Sequence, residues 1–309
     1  MATFKELLKA SYKSEDTEEW LDVHFTRPIG LAFALLWNKL GIHPNVITVV
    51  SIFLGAGAGW MFHYTDIWCN VCGVLLLMFA NFCDSTDGQM ARLTGKKTLL
   101  GRILDGFSGD VWFFCIYVGI IVRLWNQKMP LLNIEWGIWI FILCAIAGLL
   151  CHSKQSSLAD YYRQVHLFFL LGKEGSELDN YRKQREIYES LPKDKWLERL
   201  FYYNYANYCW SQERRTPYFQ RFFEMWMDQP TKLHRQMLLI NSRPLMKYTN
   251  LLTFNLRAII IYVTCLLDCP WVYPLLEITL FQAMYVYMHN THEQLCYYLM
   301  MTPRQLDED

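Results

Sequence analysis

Asp84-Ser-Thr-Asp87-Gly88-Gln-Met-Ala91-Arg92 is followed, after eight residues, by Gly101-Arg-Ile-Leu-Asp105, and Asp110 stands just beyond. Asp84 and Asp87 are three apart, so on a helix they share one face. Gly88 and Ala91 continue that face with minimal side chains. This leaves backbone open beside the carboxylates, as a phosphate or nucleotide needs. Arg92 adds a planar donor suited to phosphate. Carboxylate oxygens are hard donors that suit Mg2+, Mn2+ or Ca2+ rather than zinc. Asp84, Asp87, Asp105 and Asp110 therefore read as a divalent-metal site. Two ions, Mg2+ or Mn2+, would clamp a diphosphate there and stabilise entering and leaving oxygens. Two aspartates alone could be solvated helix caps. The small residues, Arg92 and Asp105 at matching spacing weigh against that.

The elements that carry these acids are apolar. The chain has 309 residues, 53% of them hydrophobic and 16% aromatic, and the apolar ones are bunched. Runs at about 44–64, 67–83, 107–124, 134–151, 251–267 and 270–288 each approach the roughly 20 residues that span a bilayer. Acids between such runs are costly unless paired or bound to a cation. The expected fold is all-α: a polytopic membrane protein with six transmembrane helices, an amphipathic interfacial helix before them, and a helical cytoplasmic insertion.

The expected organisation has four parts. Residues 1–43 form a cytoplasmic N-terminal segment and an amphipathic juxtamembrane helix, with Pro28 suited to its first turn and Gly41 to its stop. The opening residues carry no basic n-region with an A-x-A site and are expected to lie on the membrane surface. Residues 44–159 hold the first four transmembrane helices and the motif. The second helix should run through the motif to near Arg92, the third should begin near Gly101, and the fourth should end near His152. Residues 160–247 are too long for an ordinary loop and form the cytoplasmic insertion. Residues 248–309 hold the last two transmembrane helices and a tail. Gly55, Gly57 and Gly59 in the first helix allow a neighbour to approach closely.

Lys and Arg give the orientation. Lys5, Lys9, Lys13 and Arg27 precede the first span, and Arg92, Lys96, Lys97 and Arg102 lie between the second and third. The tips Thr65-Asp66 and Asp268-Cys-Pro270 carry neither; Arg123 and Lys128 are the exceptions. Both termini and the motif are expected to face the cytoplasm, at the plasma or inner membrane in a bacterium. A net charge of +0 gives no steering toward polyanions, and no nucleic-acid partner is expected. Of the ten cysteines, Cys69 and Cys72 have a CxxC spacing, but they fall in a membrane helix without a second ligand pair and read as packing.

The motif resembles the signature of the CDP-alcohol phosphotransferases (class I CDP-alcohol phosphatidyltransferases), D-x2-D-G-x2-A-R-x8-G-x3-D-x3-D. The match runs without a gap from Asp84 through Asp105. His43-Pro44-Asn45-Val-Ile-Thr48 resembles the Pro-Asn-x-x-Thr opening of that family's first membrane helix. The likeness covers roughly residues 28–155 and 248–300. It implies displacement of CMP from a CDP-linked alcohol, expected to be CDP-diacylglycerol, by a second alcohol's hydroxyl attacking the β-phosphate. Asp84, Asp87 and Asp105 would bind metal and diphosphate. Asp110, as the last acid, would act with Asp105 in catalysis and help deprotonate the attacking hydroxyl. Gly88, Ala91, Arg92, Gly101, Asn45 and Thr48 would line the nucleotide and diphosphate. A homodimer among membrane lipids is also implied.

One position departs from the pattern. The family's last Asp lies four residues after the third, where this chain has Gly109; the acid is Asp110. Four residues turn about 40° round an α-helix and five turn about 140°. A π-bulge or local unwinding between Gly106 and Gly109 is expected to return Asp110 to the site. The alternative is a three-aspartate site in which another group, or water, takes the proton.

Lys154, Arg163 and Arg257 are the candidate acceptor-binding residues. Arg257 lies deep in an apolar run and needs a partner or a polar cavity. His289 and His292 are three apart but lack an acid pair, which favours supporting or packing roles. The segment from Asp87 to Asp105 is similar to members that use inositol phosphates, so a phosphatidylinositol-phosphate synthase-like activity is expected, with inositol phosphate or inositol as the acceptor. The alternatives are a choline or ethanolamine phosphotransferase acting on diacylglycerol or ceramide, and an inactive membrane scaffold. A transporter would spread its acids over several depths rather than cluster them.

Overall fold

The computed structural model describes residues 3–10, 14, 16–96, 98–130 and 132–302. Lys13, Lys97 and the tail residues 303–309, which entered the orientation and domain expectations, lie outside the described residues, as do the side chains of Lys5 and Lys9. The described residues are helical, with one isolated bridge between Lys128 and Glu135. The chain is an all-α polytopic membrane protein. Five helical stretches are long and apolar enough to cross a membrane: Pro44–Met61, Ile67–Thr94, Leu99–Leu124, Gly137–Leu171 and Lys232–Leu266. The sixth expected span is helical but is not one of these five. Glu277, Gln282 and several tyrosines dilute its apolar content, and a π-helical turn, Glu277–Phe281, interrupts it.

The helices are α1 (Phe4–Ala10), α2 (Arg27–Lys39), α3 (Pro44–Met61), α4 (Ile67–Thr94), α5 (Leu99–Leu124), α6 (Gly137–Ala145) and α7 (Ser153–Leu171). They continue as α8 (Tyr181–Ser190), α9 (Trp196–Arg215), α10 (Pro217–Asp228), α11 (Lys232–Ser242), α12 (Met246–Leu251), α13 (Phe254–Leu266), α14 (Val272–Leu276) and α15 (Gln282–Met301). A π-helical segment, Ile146–His152, joins α6 to α7, so the helix that carries the fourth expected span continues past His152 to Leu171.

The chain divides into two compact units. The first comprises Met1–Tyr12, Glu18–Lys154 and Phe254–Leu280; the second comprises Lys13–Thr17, Gln155–Thr253 and Phe281–Asp309. These breaks fall earlier than the expected 159/160 boundary and later than 247/248. They also assign α15 to the same unit as the insertion, because α15 packs on α10, α11 and α12.

In the first unit, α3 packs against both α4 and α5. The contact is close because the sequence omits side chains where the helices cross. A methyl at Gly55 would collide with the Trp112 ring, and one at Gly59 would meet the backbone of Cys115. Gly57, by contrast, faces Leu76 at ordinary contact distance. Ala58, Leu77, Ala80, Trp112, Ile116 and Ile261 lie in the core that results. Local signals set the helix ends. Pro44 opens α3, with the His43 side chain accepting from Asn45 N–H. The Thr98 side chain caps α5 at Gly101 N–H. α4 runs through the whole motif and stops at Gly95, whose φ of 68° is left-handed and favours glycine. α2 lies on α4, where Gln89 Nε2 donates to Arg27 O at 3.1 Å.

In the second unit, buried Tyr161, Tyr162 and Phe169 of α7 share the interior with Phe219, Phe222, Leu238, Cys296 and Leu299. The expected amphipathic stretches at 178–191 and 196–210 are α8 and α9. Glu293 of α15 accepts from Tyr218 N–H at 2.9 Å and Phe219 N–H at 3.4 Å. It thereby satisfies two donors left open in the first turn of α10.

Arg123, an exception to the charge pattern, has a structural explanation. At the end of α5 opposite the motif, its buried guanidinium donates to Phe62 O at 3.2 Å, Asn70 Oδ1 at 2.8 Å, Cys265 O at 3.3 Å and Asp268 Oδ1 at 2.6 Å. It ties α3, α4 and α13 together. Replacing Arg123 with Met strands buried acceptors and is expected to destabilise the protein by about 1–3 kcal/mol. A thermal midpoint in detergent checks this; a midpoint equal to that of the unsubstituted protein would refute the tie.

Candidate active site

Three helices of the first unit assemble the site. α4 carries Asp84, Asp87, Gly88, Ala91 and Arg92 on successive turns. The short connection from Gly95 to Thr98 returns the chain so that α5 presents Asp105 and Ser108. The first turns of α3 bring Asn45 and Thr48. The Thr48 hydroxyl donates to Asp87 Oδ2, and both side chains are buried. Ser108 Oγ donates to Asp105 O at 2.7 Å and lies 3.3 Å from Asp84 Oδ1. Asp84 and Asp105 are hydrogen-bonded to each other, and Asp105 also lies within electrostatic reach of Asp87. Arg92 lies within electrostatic reach of Asp87. Its Nη1 would be 3.5 Å from a methyl placed on Gly88, so the open strip of α4 runs between the acids and the guanidinium. At Gly101 a methyl would stand 3.2 Å from Asn45 Oδ1, which places the starts of α3 and α5 side by side.

Three of the four expected metal-binding acids are thus brought together. Ionised carboxylates only accept hydrogen bonds, so the Asp84–Asp105 contact requires a proton or a metal cation between the oxygens. All the donors are hard oxygens, which fits a divalent cation such as Mg2+ or Mn2+. Among the described residues, however, no three His, Cys, Asp or Glu side chains close into a ligand set. Asp87 turns to Thr48 and Asp84 to Ser108.

Asp110 is not brought in. α5 is an unbroken α-helix from Leu99 to Leu124, so the expected π-bulge at Gly106–Gly109 is absent. Asp110 stays about 140° round from Asp105. It is exposed, and its carboxyl is neither hydrogen-bonded nor ion-paired among the described residues. The physical reason is that neither Gly106 nor Gly109 has a neighbour within 4 Å of an added methyl.

The candidate acceptor residues have different surroundings. Lys154 is exposed. Arg163 belongs to the second unit and donates to Asn250 Oδ1 at 2.9 Å. Arg257 is fully buried, with Nε 2.6 Å from Glu277 Oε1 and Nη2 3.4 Å from Glu277 Oε2. The expectation that Arg257 binds the acceptor gives way to a buried ion pair. In the second unit, His289 Nδ1 lies 2.6 Å from Tyr162 OH and His292 stacks on the Tyr162 ring.

The sequence reading missed Ser108 and Glu277. Ser108 has a readable signal, since it stands three residues after Asp105 and so on the same face. Glu277 is the lone acid in the run 270–288, as Arg257 is the lone cation in 251–267. Two complementary charges in neighbouring apolar runs predict each other.

Residues 41–165 match the family model described as CDP-alcohol phosphatidyltransferase. That stretch resembles a CDP-alcohol phosphatidyltransferase domain. Every candidate site residue except Arg257 lies inside it. Over 89 residues the chain is 30% identical to an archaetidylinositol phosphate synthase of Pyrococcus horikoshii, which covers 28% of this chain and 46% of that protein. Over 126 residues it is 25% identical to a Mycobacterium bovis protein that carries a cardiolipin synthase name, covering 33% and 59%. The chain thus spans about half the length of these curated relatives.

The geometry separates Asp105 from Asp110 in a measurable way. Asp105→Asn is expected to weaken Mn2+ binding, read by electron paramagnetic resonance, by at least about tenfold. Asp110→Asn should leave it within twofold. Equal losses would return Asp110 to the metal site.

Proposed function

We propose that the chain transfers a phosphatidyl group from CDP-diacylglycerol to a second alcohol and releases CMP, in phospholipid synthesis. The observation that carries this reading is the meeting of Asp84, Asp87 and Asp105 beside the open strip at Gly88, within the matched domain. Asp84, Asp87 and Asp105 would hold the divalent cation, Mg2+ or Mn2+. Bound there, it would neutralise the diphosphate and the charge developing on departing CMP. Arg92 would donate to phosphate oxygens. Gly88 and Ala91 leave space for the nucleotide, and Gly101 and Asn45 border it. Thr48 holds Asp87, and Ser108 holds Asp84, so the acids stay aimed without moving at the moment of reaction.

The acceptor proposed is an inositol phosphate. Its support is the similarity of the segment Asp87–Asp105 to inositol-phosphate enzymes and the likeness to the Pyrococcus protein. The Mycobacterium likeness favours a phospholipid hydroxyl as the second reading. A cytoplasmic site is part of the proposal, supported by Arg92, Lys96 and Arg102 flanking the α4–α5 connection. A homodimer completes the proposal.

CMP release by the purified protein in lipid bilayers tests it. CDP-diacylglycerol and Mg2+ or Mn2+ are supplied with one acceptor at a time: inositol 1-phosphate, inositol, serine, glycerol 3-phosphate or phosphatidylglycerol. CDP-choline or CDP-ethanolamine with diacylglycerol or ceramide forms a separate arm. Metal-dependent release with inositol 1-phosphate is expected, lowered by about 100-fold or more in Asp87→Asn. Folded protein that releases no CMP in any arm would leave an inactive scaffold as the reading.

A further inference from the structure

The second unit carries a helix face that its own packing leaves uncovered. Trp196, Arg199, Leu200 and Tyr203 recur along α9 at the i, i+3, i+4, i+7 spacing and so share one side of that helix. Such a side turned to water is ordinarily polar. Here Trp196 is 69% exposed, Leu200 50% and Tyr203 42%. α8 packs alongside α9 and adds Tyr188, and the connection between the two helices adds Lys193. These six side chains line an open hollow of about 370 Å3, within the roughly 300–1,000 Å3 of small-ligand sites.

Local bonds hold the wall of the hollow in place. Arg199 Nη1 donates to Tyr188 O at 3.2 Å and to Leu191 O, carbonyls that the end of α8 leaves without intrahelical donors. The guanidinium carbon of Arg199 lies 4.5 Å from the Tyr188 ring centroid, and that of Arg185 lies 4.9 Å from the same centroid. The Tyr203 ring meets the Tyr188 ring with centroids 5.6 Å apart. Cations stacked on the rings, together with the ring–ring contact, therefore fix the aromatic floor.

Two cations of the hollow carry charge that no carboxylate answers. Arg185 is paired with Glu189 at 2.9 Å and Lys195 with Glu198 at 3.3 Å. Arg199 bonds to neutral carbonyls, and Lys193 is exposed with no ion-pair partner among the described residues. Over residues 182–199 six Lys and Arg stand against four Asp and Glu, although the whole chain is neutral. An occupant that satisfies the hollow offers an anionic group to Lys193 and Arg199 and apolar surface to Trp196 and Leu200. A small sugar phosphate offers the first alone, and a hydrocarbon chain the second alone. An anionic phospholipid offers both, and the bilayer that the chain spans is a source of it.

We propose that the hollow between α8 and α9 binds the headgroup of an anionic phospholipid. The phosphodiester sits against Lys193 and Arg199, while Trp196 and Leu200 enter the glycerol region, the level at which tryptophan is enriched in membrane proteins. The rival occupant is an acidic segment of a protein partner.

The test uses the full chain in nanodiscs that hold phosphatidylglycerol or phosphatidylcholine, each bearing the same diazirine near the glycerol. Photolabelling is read by mass spectrometry on the peptides spanning residues 181–203, so lipid bound elsewhere on the chain does not count. Labelling from phosphatidylglycerol is expected to be at least about fivefold the stronger, the factor that one Lys or Arg contributes at an anionic surface, and to fall toward the phosphatidylcholine level at high salt. Lys193→Glu alters a side chain that bonds to no other described residue. It is expected to lower labelling by phosphatidylglycerol about fivefold or more with an unchanged thermal midpoint. Trp196→Ala, also at an exposed position, is expected to lower labelling from both lipids. Equal labelling from the two lipids overturns the proposal, as does a Lys193→Glu protein labelled like the unsubstituted one. Labelling abolished by excess glycerol 1-phosphate also overturns it and makes a free phosphate compound the occupant. Hairpin peptides that stay unlabelled overturn it too, and leave the face to a protein partner.

Discussion

Carboxyl groups in contact on neighbouring apolar helices are the constraint on which the first unit is built. Asp84 and Asp105 touch, with Asp87 beside them, on helices whose other surfaces are hydrocarbon. Such a cluster is tolerable only when its charge is met by donors or cations. The surrounding sequence supplies them: the Thr48 hydroxyl from α3, the Ser108 hydroxyl from α5 and the Arg92 guanidinium one turn along α4. Each donor comes from a different element, so neutralising the acids also fixes α3, α4 and α5 against one another.

Elsewhere in this unit the same requirement is met by direct pairing. Arg257 lies wholly inside α13 and is answered by Glu277, while Arg123 is answered by Asp268, Asn70 and two carbonyls. A buried pair adds little net stability, yet losing one partner is costly. Such pairs therefore specify which helices neighbour which. Around Glu277 the pairing extends through His152, Tyr273 and Tyr117, so a polar thread passes through a region the sequence marks as apolar.

Much of this was legible in the residues, for reasons that differ from place to place. The helix ends are local: Pro44, Asp66, Thr98 and Gly95 act on their own backbone, and α4 ends and α5 begins within two residues of the expected Arg92 and Gly101. The meeting of Asp84, Asp87 and Asp105 follows from spacing on two helices joined by a short turn. The bulge expected at Gly106–Gly109 is absent because a spacing mismatch with a motif does not by itself distort a helix. The pairing of Arg257 with Glu277 depends on how two helices face each other, which periodicity does not encode. The same holds for α15. Its sequence continues the sixth apolar run, but its packing partners are α10, α11 and α12.

The contact between α3 and α5 carries a consequence for substrate entry. At Gly59 an added methyl would meet the backbone of Cys115, and at Gly119 it would meet the Gly59 carbonyl. Backbone cannot swing aside as a side chain does, so these two helices have no room to slide or part without losing the contact altogether. α4 is held to the same pair by the hydroxyl bonds at its acids. The three helices therefore behave as one rigid jaw, and room for two bulky substrates has to come from the movement of other elements.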